Sequence, residues 1–339
     1  MKCYLVDGRG IDSVTLTERP SPVLKNDQDV LVQVNACSLN YRDLMVAKGL
    51  YQYKPSTFPP IVALSDMSGV VLAVGDGVSD LKPGDRVLNS PFKHWPAGTL
   101  RSGWARTFVG ALGLDGVLAE QIVYPADSLV KIPDHLEFAE ASTFTVAGLT
   151  AWSALVTHGK TQPGEWVLLQ GTGGVSTFAA QLAHAMGART IMTTSSPEKA
   201  AAVKRDFGVT ATVNYNDADW PQQVKDITQG SGVDVIVDVV GGDSLSQCLS
   251  ICNYGARVAV IGVLAGTSSN IQIRDLLVHQ VQIRGIYMES TEELRALIRA
   301  VDTLKLKPVV DKIFPFSHAA DAYKHLESQK HIGKVVISI

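Results

Sequence analysis

Val167-Leu168-Leu169-Gln170-Gly171-Thr172-Gly173-Gly174-Val175-Ser176, continued by Thr177-Phe178-Ala179-Ala180-Gln181-Leu182-Ala183, reads as a buried strand, a glycine turn and an alanine-rich helix in immediate succession. That strand–turn–helix context is what a dinucleotide fingerprint requires. Gly171 permits the tight turn, and Gly173 carries no Cβ to block a pyrophosphate. The amides that open the helix, those of Gly174 and Val175 included, would meet the phosphates with the positive end of the helix dipole. The third fingerprint position is Ser176, where Gly or Ala is usual, so the helix is expected to sit slightly farther from the strand. A glycine turn can also serve packing alone, and the neighbouring segments decide between the two.

Downstream of about Glu165 the pattern is regular β-α alternation, with candidate strands at 166–170, 189–194, 211–215, 233–240, 257–263 and 281–287. Helical patterns lie between most of them, such as 197–207, where Gly208 is a helix stop. Apolar strands alternating with helices mean a parallel sheet covered on both faces. Upstream, to about Pro125, the texture is short strands broken by Gly, Pro and Asp, at 29–35, 61–74, 85–88 and 116–124, which reads as a compact all-β module. The tail returns to the first texture in part, with an amphipathic helix over 290–304, part of another over 321–327 and a last strand over 333–339. The expected fold is α/β: a doubly wound parallel (Rossmann) sheet over 128–289, inserted into a discontinuous, mainly β domain made of 1–127 and 290–339.

The second strand of the series bears on which nicotinamide cofactor is used. An enzyme that prefers NAD usually has Asp or Glu about 20 residues beyond the glycines. Here that strand ends Met192-Thr193-Thr194-Ser195-Ser196-Pro197-Glu198-Lys199, with no acid at its tip. Ser196 and Pro197 read as the cap and first position of the next helix. Lys199 falls in the first turn, where a cation opposes the helix dipole. A 2′-phosphate held by Ser195 and Lys199 would offset that cost, so NADP(H) is expected over NAD(H). The alternative for Lys199 is an exposed surface lysine.

Composition narrows the function classes. Of 339 residues, 46% are hydrophobic and 19% charged, and 30 Lys and Arg against 33 Asp and Glu give a net charge of −3. Disorder is not expected, and a nucleic-acid partner would need a basic excess or stripe. The two long uncharged runs, 141–159 and 166–188, are read as core rather than membrane spans: the first carries seven Ser, Thr or His residues and the second is broken by glycines. The N-terminus shows no signal-peptide pattern. Cysteines at 3, 37, 248 and 252 form no C-x-x-C pair and read as reduced thiols of an intracellular, cytoplasmic protein.

Several further segments carry a family likeness: Leu39-Asn40-Tyr41-Arg42-Asp43; Val74-Gly75-Asp76-Gly77-Val78 leading to Gly84-Asp85-Arg86-Val87; Ala147-Gly148-Leu149-Thr150-Ala151-Trp152; the glycine turn; and Gly333-Lys334-Val335-Val336. With these the chain resembles, over essentially its whole length, the medium-chain dehydrogenase/reductases, and among them the zinc-lacking quinone oxidoreductase-like branch. The resemblance implies a GroES-like outer domain, a homodimer, and hydride transfer from reduced nicotinamide. The zinc alcohol dehydrogenases of the family hold catalytic metal with Cys, His and Cys plus a nearby Glu, and those positions correspond to Asn40, Ser65, Val146 and Asp66. No thiolate or imidazole is among them, and no cluster of cysteines stands at 89–115 for a structural zinc. No zinc is therefore expected. Without a Lewis acid the fitting acceptor is one that already delocalises charge, a quinone or an α,β-unsaturated carbonyl.

By the same resemblance Tyr51 corresponds to a tyrosine that donates a proton or anchors substrate in enoyl-reductase relatives, and a tyrosine can donate while neutral. The alternative is an aromatic packed beside Tyr53 and Phe58. Asn40 is expected to contact substrate or hold the nicotinamide side, and Asp43 to cap a helix or pair with Arg42. Thr150 and Val263, the latter at the end of the fifth strand, correspond to positions bounding the nicotinamide. Tyr215, ending the third strand, corresponds to a position near the adenosine phosphate, with burial in the sheet as its alternative. The segment 89–113, with Phe92, His94, Trp95, Trp104 and Phe108 among glycines, reads as a lid or wall of the acceptor pocket or as a dimer contact. Two other functions compete: a zinc-free alcohol dehydrogenase-like enzyme, and a nucleotide-binding structural or sensor protein with little turnover.

Overall fold

The computed structural model describes residues 1–51, 59–111 and 113–339. The chain divides into two compact units, one made of residues 1–149 and 289–339, the other of 150–288. The second unit carries a six-stranded sheet in which every pairing is parallel. Its strand order is Ala211–Val213, Arg189–Thr193, Trp166–Gln170, Val233–Asp238, Cys252–Val260, Gln282–Gly285. The order reverses at Trp166–Gln170, all five of whose residues are buried. In doubly wound sheets that reversal leaves a crevice at the carboxyl ends of the strands, where ligands bind. One layer of the core packs Trp166, Leu168, Ile191, Val213, Ile236 and Val258 against Trp220, Val224 and Leu249.

Local sequence chemistry explains where the helices of this unit start and stop. The helix Pro197–Phe207 has Ser196 as its cap, whose Oγ accepts from the Lys199 amide at 3.2 Å, and Pro at its first position. Gly208 ends it in the left-handed conformation, at φ 66°. The helix Gly174–Ala185 follows the first strand through the turn Gly171–Gly173.

The outer unit is built on two sheets. Thr15–Glu18, Lys2–Val6 and Ile61–Val62 form an antiparallel three-stranded sheet. The larger sheet runs Val310–Pro315, Lys334–Ser338, Asp29–Ser38, Asp66–Val74, Arg86–Asn89, Leu129–Lys131, with Gln121–Pro125 also paired to Asp29–Ser38. The expected single strand over 61–74 is therefore two strands in different sheets. The break falls at 63–65, where Leu64 adopts φ 64°, a conformation rare for a branched side chain. Over 116–124 only Gln121–Pro125 forms a strand. The segment 128–149, expected in the nucleotide-binding domain, packs with the outer unit because Leu129–Lys131 pairs with Arg86–Asn89. The helix Thr291–Leu304 buries Leu294, Leu297, Ile298 and Val301 in the same unit, and Ser290, expected as its first residue, caps it by accepting from the Glu293 amide.

Candidate functional site

In the nucleotide-binding unit the glycine turn has the geometry its sequence asks for. Gly171 sits at φ 68°, and its amide donates to Thr193 O at 2.9 Å, so the turn is tied to the neighbouring strand. Gly173 caps the helix with extended backbone, and a Cβ built on it would meet nothing within 4 Å. The space in front of the turn is open, as a pyrophosphate would need. Ser176 does not hold the helix away from the strand. It is buried, and its hydroxyl donates to Gln170 O at 2.6 Å, fastening helix to strand.

The second strand ends as Thr193, and beyond it Ser195 Oγ lies 2.8 Å from Tyr215 Oη. Tyr215 is 50% exposed and lies outside the strand Ala211–Val213, so its burial in the sheet is ruled out. Lys199 occupies the first turn of the helix capped by Ser196, whose hydroxyl also donates to Glu198 Oε2 at 2.6 Å and holds that carboxyl below its ordinary range. Hydroxyls, a cation and open helix-terminal amides thus gather at the carboxyl edge of these strands, beside the Glu198 carboxyl that Ser196 holds. Val263 lies three residues past the end of Cys252–Val260, not at its last position, and is half-exposed in the following loop. Thr150 is buried in the helix Ala147–Trp152. Below the crevice, buried Asp238 accepts from the amides of Val240 and Gly241 through Oδ1, and burial pushes its pKa up against those bonds.

The outer unit brings together the four positions that correspond to the metal ligands of zinc relatives. Asp66 is fully buried; its Oδ2 accepts from Asn40 Nδ2 at 2.9 Å and from the Val146 amide at 3.3 Å, and its Oδ1 from Ser65 Oγ at 2.6 Å. Ser38 Oγ stands 3.1 Å from the same Oδ2. A lysine that the sequence reading gave no role completes the group. Lys334, 3% exposed, donates through Nζ to Leu39 O and to Asn40 Oδ1, both at 2.5 Å, and lies 3.8 Å from Asp66 Oδ2. Burial pushes the Lys334 pKa down, and the charges of Asp66 and Asp43 oppose that. Removing one partner of such a buried pair typically costs about 3–5 kcal/mol, because the other charge is stranded.

A buried amide holds this arrangement in place. Asn89 accepts from the Met67 amide at 2.8 Å and donates to Ser65 O at 2.9 Å, so both neighbours of Asp66 are fixed. Its carbonyl accepts from Thr145 Oγ1 at 2.9 Å, beside Val146. Zinc does not fit these groups. Asn40 has both ends of its amide engaged, Ser65 donates to the carboxylate, Val146 offers only backbone, and an ammonium already stands beside Asp66; thiolates and imidazoles, the ligands zinc prefers, are lacking.

Next to this cluster Asn40 opens the helix Tyr41–Ala47, with its backbone amide donating to Asp43 Oδ2 at 2.7 Å. Asp43 also accepts from Arg42 at 3.0 Å, so it both caps and pairs. Burial raises its pKa to about 6, against Arg42 and the Asn40 amide and together with Asp66. The Arg42 guanidinium lies 4.4 Å from the Phe108 ring centre and 5.3 Å from that of Tyr51, and donates to Val109 O and Gly110 O. Tyr51 and Phe108 meet edge to face, 6.5 Å apart. Tyr53 and Phe58, its expected packing partners, lie outside the described residues. Within 89–113, Phe92, Trp95, Phe108 and Val109 are buried in the outer unit, and Trp95 O accepts from the Thr291 amide that opens a helix. Exposure in this segment is concentrated over residues 96–103, around the short helix Ser102–Ala105.

Lys334, Asn89 and Ser38 are contributors that the sequence did not single out. For Lys334 a signal was present: a lysine heading the run Val335-Val336-Ile337, whose members are all buried. Among the described residues no group of three or more His, Cys, Asp or Glu side chains is placed to hold a metal, and no helix is long and apolar enough to cross a membrane.

Residues 26–134 match the family model described as alcohol dehydrogenase GroES-like domain, and residues 174–303 the one described as zinc-binding dehydrogenase. The chain is 36% identical to a zinc-type alcohol dehydrogenase-like protein of Schizosaccharomyces pombe, over 97% of this chain and 96% of that one. It is 29% identical to human quinone oxidoreductase, covering 93% of this chain and 90% of the relative. The crystal structure of a putative alcohol dehydrogenase from Sinorhizobium meliloti 1021 superposes with a TM-score of 0.89 at 38% identity, over 100% of this chain and 98% of that one. A Rossmann sheet entered through a glycine turn, a GroES-like outer unit and relatives matched along nearly the full length make the chain a member of the medium-chain dehydrogenase/reductase superfamily, and a nicotinamide-dependent oxidoreductase.

Proposed function

We propose that the protein is an NADPH-dependent oxidoreductase that reduces a quinone or an α,β-unsaturated carbonyl without zinc. The bound reduced nicotinamide supplies the hydride. The turn from Gly171 through Gly173, Gly174 and Val175 would hold the pyrophosphate, Ser195, Lys199 and Tyr215 the 2′-phosphate end, and Thr150 and Val263 the nicotinamide end. In the outer unit Asn40 offers an amide to the acceptor, and Tyr51, its ring set edge to face against Phe108 with the Arg42 guanidinium beside both rings, is the proton donor. The observation that carries this reading is the Asp66 cluster: hydrogen-bond donors and an ammonium occupy positions where a Lewis acid would need thiolate and imidazole ligands. Such groups serve an acceptor whose own conjugation spreads the incoming charge better than a simple ketone or alcohol.

The test is steady-state NADPH oxidation with a panel of quinones and enones, with and without a chelator, alongside alcohols with NADP⁺. Turnover of quinones or enones that survives chelation is expected. Alcohol oxidation in place of it, or about one zinc per chain lost together with activity, would overturn the reading. We also propose a homodimer formed through the nucleotide-binding unit. Gln282–Gly285 is an edge strand exposed along its whole length, and Ile273, Leu277 and Val278 of the helix Ile273–His279 and Ile283 of the strand itself leave apolar surface open there. Light scattering should give twice the chain mass, and Ile283→Pro should give one.

A further inference from the structure

The geometry points to the buried Lys334–Asp66 pair as the device that fixes the Asn40 side-chain amide with its nitrogen, not its oxygen, available to an oxygen of the acceptor. Asn40 is the donor; Lys334 and Asp66 are positioning residues. The inference rests on the reading of the protein as an oxidoreductase of carbonyl-bearing acceptors.

The two ends of an asparagine amide have nearly the same shape, so only their partners decide which way it lies. At Asn40 both partners are charged and buried. Oδ1 accepts from the Lys334 ammonium at 2.5 Å, and Nδ2 donates to the Asp66 carboxylate at 2.9 Å. The flipped amide would set its oxygen against a carboxylate and its hydrogens against an ammonium, and both contacts would repel. Asp66 takes one of the two Nδ2 hydrogens, and the other has no partner among the described residues. Lys334 and Asp66 are shut off from solvent, whereas Asn40 is half-buried, so the amide is the part of the trio that a ligand can reach.

The cation also strengthens the donor it orients. An ammonium on the amide oxygen draws electron density from the nitrogen and polarises its N–H bonds. Asp66 pulls the other way, but its charge is shared with Ser65 Oγ, the Val146 amide and the ammonium. A polarised, preset N–H suits an oxygen that gains negative charge as hydride adds to the conjugated carbon, giving an enolate or a hydroquinone anion. The remaining Lys334 contact, to Leu39 O, ties the ammonium to the main chain just before Asn40.

The probe is 4-nitrophenolate, an oxyanion whose absorbance reports its charge state, titrated into the full-length protein with and without NADP⁺. Lys334→Met combined with Asp66→Asn removes both charges together, so that neither is left stranded; Asn40→Ala removes the donor. Wild-type protein is expected to bind the phenolate, and each of the two variants, folded, to bind it about ten- to hundredfold more weakly, with NADPH affinity near wild type. Because Lys334 and Asp66 act through Asn40, the triple variant should bind no more weakly than Asn40→Ala alone. A merely structural role would make the losses add.

Phenolate binding that is unchanged in the folded pair variant, losses that add in the triple variant, or no binding by wild type each overturn the inference. Should the pair variant not fold, unchanged binding by Asn40→Ala overturns it and a loss there supports it. Wild-type protein that turns over no quinone or enone would sink the functional reading by a separate measurement, leaving the phenolate titration to decide the role of the amide.

Discussion

Gly173→Ala separates a glycine turn that binds a dinucleotide from one that only packs. At this position the backbone is extended, with φ −76°, a conformation open to any residue, and an added Cβ would touch no atom within 4 Å. The cost to the fold is then confined to the helix cap, where glycine outranks alanine by up to about 1 kcal/mol. That is a few degrees in melting temperature at most for a chain of this size. For a bound pyrophosphate the same methyl occupies the approach to the amides that open Gly174–Ala185. Losing two charge-assisted bonds at about 1.5–3 kcal/mol each weakens binding by roughly 10²- to 10⁴-fold. NADPH fluorescence titration and thermal melting read the two effects separately. Gly103→Ala, in the outer unit and equally free of neighbours, is the control that should move neither strongly. If Gly173→Ala binds NADPH within about threefold of wild type while melting as predicted, the turn serves packing and the cofactor lies elsewhere.

Three further outcomes are expected. NADPH should bind at least about tenfold more tightly than NADH, and Lys199→Ala should weaken NADPH by about 1–3 kcal/mol while sparing NADH; equal titration constants for the two cofactors would sink this. Tyr51→Phe should lower enone turnover at least about tenfold, and quinone turnover less, with cofactor affinity unchanged, since an enolate protonating on carbon needs directed delivery; parent rates with both acceptors would make Tyr51 a packing residue. Asp43, raised to about 6 by burial, contributes stability that is complete below its unfolded value near 4 and is lost as pH rises through 6. The unfolding free energy of wild type relative to Asp43→Asn should therefore fall by up to about 3 kcal/mol from pH 4 to pH 7 in urea titrations; a flat difference would mean that Asp43 titrates as an ordinary carboxylate.

What the sequence made legible was what local rules encode. The turn at Gly171, the cap at Ser196 with Pro197 behind it, and the stop at Gly208 each follow from the conformations those residues favour, and each stands where it was read. The split of 61–74 into two strands was hidden because the run is apolar and strand-like throughout, and nothing in a leucine announces the φ of 64° that turns the chain at Leu64. The strand Cys252–Val260 begins earlier than expected because Cys252 already pairs with Val233, ahead of an irregular stretch over 253–256 and the regular pairing that resumes at Arg257. At the site, matching motifs located Asn40, Ser65, Asp66 and Val146, and the structure brings them together. Lys334 escaped because its partners are far off in sequence, nearly 300 residues away at Leu39 and Asn40, and a lysine by default belongs in water.

The presence of charge in that core is itself informative. A buried ion pair is seldom the most stable filling of its space, and apolar side chains of similar volume often do as well or better. Lys334 and Asp66 are both buried, and a neutral pair of similar shape could fill their space. What apolar substitutes would not supply is an electrostatic sense of direction for the one polar side chain of the trio that reaches the surface. Asn40 could then rotate or turn its carbonyl outward, and the site would present an acceptor where a reducible oxygen needs a donor. On this argument the pair is retained for orientation rather than for stability. A Lys334→Met, Asp66→Asn protein as stable as wild type, or more so, yet slower with quinones and enones, is the combination that distinguishes the two.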